Sequence, residues 1–263
     1  MESLNRPIQL VFKRTEAKYL LDCRQKERLC ALMGEWMVPD EFGATTIRNL
    51  YLDMPSLLLA RRSAEHPLYK EKLRIRSYAA AGTEDEVFLE LKKKYDGVVY
   101  KRRCRMKLKD ALALCQGRRR PRGQIQEELA YSALHDGGIG PVAQVAYERE
   151  AFFGRDDRDL RLTFDHEVRA RWEHLNLVSA EGTPLIASGC FLLEIKTPKA
   201  MPLWLVAFLS EEQLRKTSFS KYGEAARRHL AGLPSQGARL IPFPEQAASE
   251  TVSGLAAERI CHA

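Results

Sequence analysis

Long apolar runs are missing from this sequence, and that sets its first limit. The longest, Met201 to Leu209, is about half the roughly 20 residues that a membrane-spanning helix needs, so no transmembrane segment is expected. The N-terminus carries Glu2 and Arg6 with no apolar stretch, so no signal peptide is expected either. Cysteine pairs are missing too. Cys23, Cys30, Cys104, Cys115, Cys190 and Cys261 form no CxxC, and nothing has the spacing of a zinc site. They read as reduced, buried thiols of a cytoplasmic protein. The histidines (His66, His135, His166, His174, His229 and His262) make no HExxH, and His166 falls on the apolar register of its strand. There is no GxxxxGK[ST], no Gly-rich loop before a helix and no internal repeat, which excludes P-loop and kinase-type nucleotide sites.

What is present is basic charge on alternating strands. The 263 residues carry a net charge of +7, which points to an anionic partner without choosing among nucleic acid, membrane and phosphate metabolite. Period-2 patterning predicts strands at 9–21, 46–53, 71–79, 86–95, 99–108, 143–153, 159–169 and 190–197, with a weaker one at 172–178. Helices are expected at Arg24–Met37 after an Asp22 cap, at Leu108–Cys115, Gln124–Leu134, Lys199–Leu209 and Ser220–Leu230. The fold class is therefore α+β: an eight-stranded antiparallel β-tunnel or barrel, closed or nearly so, with helices packed outside. Residues 1–232 form this domain. Ser, Gly, Pro and Ala dominate 233–263, which read as a loosely ordered tail.

Residues two apart on a strand share a face. That rule groups Arg14, Glu16 and Lys18; Lys72, Arg74 and Arg76; Glu90, Lys92 and Lys94; and Lys101, Arg103 and Arg105. It also groups Arg161, Thr163, Asp165 and Glu167, and then Glu194 and Lys196, each set opposite Leu, Ile, Val or Phe. A half-solvated amphipathic sheet would look the same strand by strand. If the sheet closes with these faces inward, the converging cations need anions, and a polyphosphate supplies both charge and acceptor oxygens.

The segments Arg14-Thr15-Glu16-Ala17-Lys18-Tyr19, Leu73-Arg74-Ile75-Arg76 and Glu90-Leu91-Lys92-Lys93-Lys94 resemble those of a known family. So do Val99-Tyr100-Lys101-Arg102-Arg103, Tyr147-Glu148-Arg149, Arg161-Leu162-Thr163-Phe164-Asp165, Leu193-Glu194-Ile195-Lys196-Thr197 and Phe219-Ser220-Lys221-Tyr222. In order, from about residue 9 to 230, they resemble the VTC domain, the polyphosphate polymerase module of vacuolar transporter chaperone proteins. That family belongs to the triphosphate tunnel metalloenzymes.

The resemblance implies transfer of the ATP γ-phosphate to a growing polyphosphate chain with Mn²⁺ or Mg²⁺. ATP and polyphosphate are then the partners, and no nucleic acid is expected. By position it implies that Lys18, Arg74, Arg76, Lys92, Lys101, Arg103, Arg149, Arg161 and Lys196 bind phosphate. Lys221 and Glu194 would be catalytic, and Glu194 the main metal ligand, with Glu16 and Glu167 as further ones. Arg14 stands where the wider superfamily often has the first Glu of Glu-x-Glu-x-Lys, which tilts the chain away from CYTH-type triphosphatases and cyclases. With no regulatory SPX domain or membrane helices, a free-standing bacterial version is expected. The rival readings are a triphosphatase in the same tunnel and a non-enzymatic polyanion or nucleic-acid-binding module. The latter's best exhibit is Arg118-Arg119-Arg120-Pro121-Arg122, with few aromatics interleaved for stacking.

Overall fold

The structure, a computed structural model, describes residues 15–232 apart from 65–67, 97, 136–137 and 199. Arg14, the start of the first strand reading and the tail at 233–263 lie outside the described residues.

All the principal strands are antiparallel. In sequence they are β1 (Thr15–Leu21), β2 (Met37–Pro39), β3 (Thr45–Asp53), β4 (Tyr69–Ser77), β5 (Glu86–Tyr95) and β6 (Val98–Lys107). Then come β7 (Gly140–Gly154), β8 (Arg161–Arg171), β9 (Thr183–Pro184) and β10 (Phe191–Thr197). The main path runs β1-β10-β8-β7-β3-β4-β5-β6, with β2 paired to β7 and β9 to β8. The fold is thus the expected α+β tunnel, a strongly curved sheet rather than a fully hydrogen-bonded barrel: among the described residues no ladder joins β1 to β6. Side chains span part of that gap instead, since Lys92 of β5 donates to Glu16 of β1 at 3.4 Å. The weak strand reading at 172–178 fails. Only an isolated bridge, Ala81 to Leu177, forms there.

Alternation decides the layers. Leu73, Ile75, Leu89 and Leu91 point outward under α3 (Leu108–Cys115) and α4 (Gln124–Leu134), where Leu108, Leu114, Leu129 and Ala133 cover them. Leu162, Phe164, Leu193 and Ile195 do the same under α1 (Cys23–Met33) and α5 (Leu203–Glu211). Each such Leu or Phe is stabilised by about 1.5–3 kcal/mol on burial. Helix α1 starts where Asp22 and Gln25 form a capping box, and it stops at Met33 rather than Met37, because Met37 already belongs to β2. Helix α5 starts only after Pro202, later than the Lys199 expected. Three short elements differ from the sequence expectation by being present at all: β2, β9 and α2 (Leu58–Ala64). The thiols are less buried than expected. Among the described residues only Cys115 is buried, and burial pushes its thiol up to about 12.

Helix α6 (Lys221–Leu230), with α2 packed beside it, lies against the inner face, unlike α1, α3, α4 and α5. Its Tyr222, Ala225 and Ala226 meet Leu20, Tyr51, Val145, Val168 and Leu192, closing one end of the curved sheet with an apolar plug. Tyr222 stacks on Tyr51 with ring centroids 4.3 Å apart, and its hydroxyl donates to Asp53 Oδ2 at 2.7 Å. Asp53 also accepts from the backbone of Leu59 and Ala60, so it ties α2, β3 and α6 together. The charged part of the lumen begins at the first residue of α6.

Candidate functional site

Two buried acids organise the lumen. The first is Glu90, in the middle of β5. Its register partners are Arg74 on β4 and Arg103 on β6. Arg74 donates from Nε and Nη2 to Glu90 Oε2 at 2.9 and 2.8 Å. Lys101 Nζ lies 3.0 Å and Arg103 Nε 3.3 Å from Oε1, with Arg76 at 3.9 Å from Oε2. Burial favours the neutral acid, but Arg74, Arg76 and Lys101 hold its carboxyl well below the usual range. Neutral groups complete this wall. Arg76 donates to Asn49 Oδ1 at 3.0 Å and to the Tyr147 hydroxyl at 3.2 Å, and Arg74 donates to the Tyr51 hydroxyl at 3.3 Å.

The second centre pairs Glu194 of β10 with Asp165 of β8. Arg149 grips Asp165 with two bonds, 2.5 and 2.7 Å, and reaches Glu194 at 3.6 Å. Lys221 pairs with Asp165 and lies 3.4 Å from Glu194, its ammonium 4.5 Å from the Tyr147 ring centroid. Lys18 at 3.3 Å and Lys196 at 3.2 Å surround the rest of Glu194. Burial opposes the charge on both acids. Lys221 and Arg149 nevertheless hold Asp165 below its usual value, and Lys221, Lys196, Lys18 and Arg149 hold Glu194 well below its own. In return, Asp165 and Glu194 overcome the effect of burial on Lys221 and raise it. These buried groups stay ionised because they neutralise one another.

Lys72 stands apart. It donates to the Ser220 hydroxyl at 2.7 Å, the same oxygen that caps α6 by accepting from Gly223 N at 3.2 Å. Among the described residues no carboxylate pairs with it. Burial first, then the charges of Lys18, Lys92, Lys70 and Arg74, push its ammonium down to about 7. Burial likewise pushes Lys101 down to about 8, despite Glu90. Cations outnumber acids throughout this lumen, so an anion that enters meets positive charge not yet neutralised from within.

The oxygen donors fit a hard divalent ion at one place. Lys18 Nζ lies 3.4 Å from Glu16 Oε1 and 3.3 Å from Glu194 Oε1, so two carboxylates converge on a single cation. Thr163, the register partner of Glu194, has a buried Oγ1 with no hydrogen-bond partner. Among the described residues no three His, Cys, Asp or Glu side chains form a metal group. A divalent ion held here would need further oxygens, from water or substrate phosphates, to complete its shell. Glu194 is ringed by cations as Glu90 is, but among the described residues no second carboxylate shares a cation with Glu90 as Glu16 shares Lys18 with Glu194.

Most of the residues expected to line the tunnel come together here: Lys18, Arg74, Arg76, Lys92, Lys101, Arg103, Arg149, Lys196 and Lys221, with Glu16 and Glu194. Two do not. Arg161 sits opposite Lys196 in register but is half-exposed at the rim, 3.9 Å from Asp40. Glu167 leaves the inner face altogether. It has φ +47° at a bulge, where the β7–β8 register shifts between Ala146 and Glu148. The extra residue flips the alternation, so Val168 turns inward with Asp165 while Glu167 is exposed and pairs with Arg169 at 2.5 Å. It is not placed to share a metal with Glu194.

Sequence reasoning gave no role to Glu90, Asp165 or Lys72, although alternation had put all three on the right face. Tyr147 and Asn49 carry no charge, so sorting by charge could not find them. Ser220 reaches Lys72 only through long-range folding.

The family model of the VTC domain matches residues 13–229. Two solved structures of proteins named "putative adenylate cyclase" are similar in fold. One, from Bacillus halodurans, is 14% identical with a TM-score of 0.50, and the match covers 81% of this chain and 96% of that one. The other, from Vibrio parahaemolyticus, is 12% identical with a TM-score of 0.45, over 81% and 97%. At this identity the first carries the fold alone. No curated protein matches in sequence.

Proposed function

The chain belongs to the VTC domain family, and from that membership and the geometry of the lumen we propose that it is a phosphotransferase of the polyphosphate polymerase type, moving the ATP γ-phosphate onto a polyphosphate chain. The observation that carries the reading is the converged, cation-rich lumen in which Glu194, Glu16 and Lys221 meet.

The cations would seat the phosphates, with Arg74, Arg76 and Arg103 as bidentate forks and Lys18, Lys92, Lys101 and Lys196 as point charges. Arg149 and Lys221, fixed by Asp165, would face the phosphoryl group in transfer. A terminal oxygen of the acceptor chain attacks the γ-phosphorus in line. The new P–O bond forms as the bond to the β-phosphate bridging oxygen breaks, and ADP leaves with that electron pair. Such a transfer asks for positioning and charge stabilisation more than for a covalent nucleophile. Glu194 and Glu16, with Thr163 beside them, would hold Mn²⁺ or Mg²⁺, which when bound neutralises charge on the phosphate oxygens. The reaction would run in the cytoplasm, where ATP is at hand; no described helix is long and apolar enough to cross a membrane.

The test is incubation of purified protein with ATP and Mn²⁺, reading both polymer and free phosphate. Long-chain polyphosphate with equimolar ADP is the expected result. Free phosphate without polymer would replace this reading with hydrolysis in the same lumen, and no turnover with tight tripolyphosphate binding would replace it with a binding protein.

A further inference from the structure

Beyond the acid-centred chamber, the inner face of β4 and β5 continues outward in lysines alone. Lys72 lies opposite Lys92, and Lys70 opposite Lys94, in antiparallel register. Like charges placed directly opposite destabilise a sheet. Lys70 registers that cost, since burial and then the Lys94 charge push its ammonium down. Among the described residues no carboxylate pairs with Lys70, Lys72 or Lys94. On the other face of the same ribbon, Lys93 is matched with Glu71 at 3.8 Å. Acids are thus used on this hairpin, but not on its inner face beyond Glu90.

Residues four apart on a strand are separated by about 13 Å, so Lys70 lies beyond the span of a triphosphate seated on Arg74. We propose that Lys70 and Lys94, continuing from Lys72, form an outer anion track that holds the units of a long polyphosphate chain beyond those in the chamber. The proposal rests on the polyphosphate reading above and adds to it where the rest of the chain runs. Lysines suit such a track, because a point charge on a flexible stem makes no fixed bidentate contact and lets a chain shift along it. A single-stranded nucleic acid fits less well. The ribbon's exposed aromatics, Tyr69 and Tyr95, are paired on the face opposite the lysines, leaving the track without a stacking platform.

The test compares wild type with the double variant Lys70→Gln/Lys94→Gln by calorimetry, using tripolyphosphate, long-chain linear polyphosphate and an oligouridylate. The expected result is a loss of roughly fivefold or more in long-chain affinity with a shallower salt dependence, and unchanged tripolyphosphate affinity. The thermal midpoint should hold or rise, because a repulsion has been removed. An equal loss for both phosphates, no loss for the long chain, or a loss confined to the oligouridylate would each overturn the track. So would a lowered midpoint, which would make the lysines structural. If wild type fails to bind tripolyphosphate, the chamber reading falls as well, so the two failures are distinguishable.

Discussion

The Glu90 wall and the Glu194 wall are built from the same residue types and solve different problems. On the Glu90 side, three consecutive strands, β4, β5 and β6, supply the acid and all four of its cations. On the Glu194 side, β1, β7, β8, β10 and α6 each contribute one or two groups. The first acid is enclosed by guanidinium groups and an ammonium. The second shares Lys18 with another carboxylate and faces an unpartnered hydroxyl. Buried acids that look alike in sequence therefore sit in unlike settings: Glu90 holds arginines in place, whereas Glu194, in the proposed reading, would exchange a cation for a metal ion.

Breaking each wall should expose that difference. The largest effect is expected for Glu90→Gln, which leaves four cations without their acid. Removing one partner of a buried ion pair costs about 3–5 kcal/mol, so thermal unfolding should fall sharply and recover when tripolyphosphate is added. Glu194→Gln should instead lower metal-dependent turnover by about 10²–10³-fold, on the scale of removing one group that stabilises transition-state charge. Tripolyphosphate binding, measured without metal, should be largely kept. If the two variants behave alike, the walls are not functionally distinct. Arg74→Ala comes next, with tripolyphosphate affinity down about 10- to 100-fold, because charge-assisted bonds are worth about 1.5–3 kcal/mol each.

The smallest effect concerns protons. Lys72, pushed down to about 7, is largely neutral above that pH in the free protein, and a bound phosphate raises it again. Tripolyphosphate binding should take up a proton above pH 7, and affinity should weaken as pH rises through that value. Lys101, pushed down to about 8, adds to the uptake at higher pH. Calorimetry in buffers of different ionisation enthalpy measures the proton count, and Lys72→Met should reduce it.

The two walls also differed in how far the sequence revealed them. The Glu90 wall was legible because β4, β5 and β6 follow one another, and Leu73, Ile75, Leu89 and Leu91 fix which face is outward. The inner-face members of the Glu194 wall could be sorted strand by strand. Their meeting depends on pairings such as Lys18 with Glu194, which no local pattern specifies. The bulge at Glu167 was hidden for a related reason. Regular alternation was assumed through a position where an extra residue reverses it. The inward packing of α6 came from Tyr222 and two alanines, a pattern that reads equally well as an ordinary outer helix.

The most direct measurement of the central claim is a crystal structure with tripolyphosphate and Mn²⁺, using manganese anomalous scattering to locate the metal. The account predicts manganese on Glu194 and Glu16, with phosphates against Arg74, Lys101 and Lys18 and with Glu90 still enclosed by its arginines. Manganese on Glu90, or phosphate bound only at the Arg118–Arg122 loop outside the lumen, would contradict it.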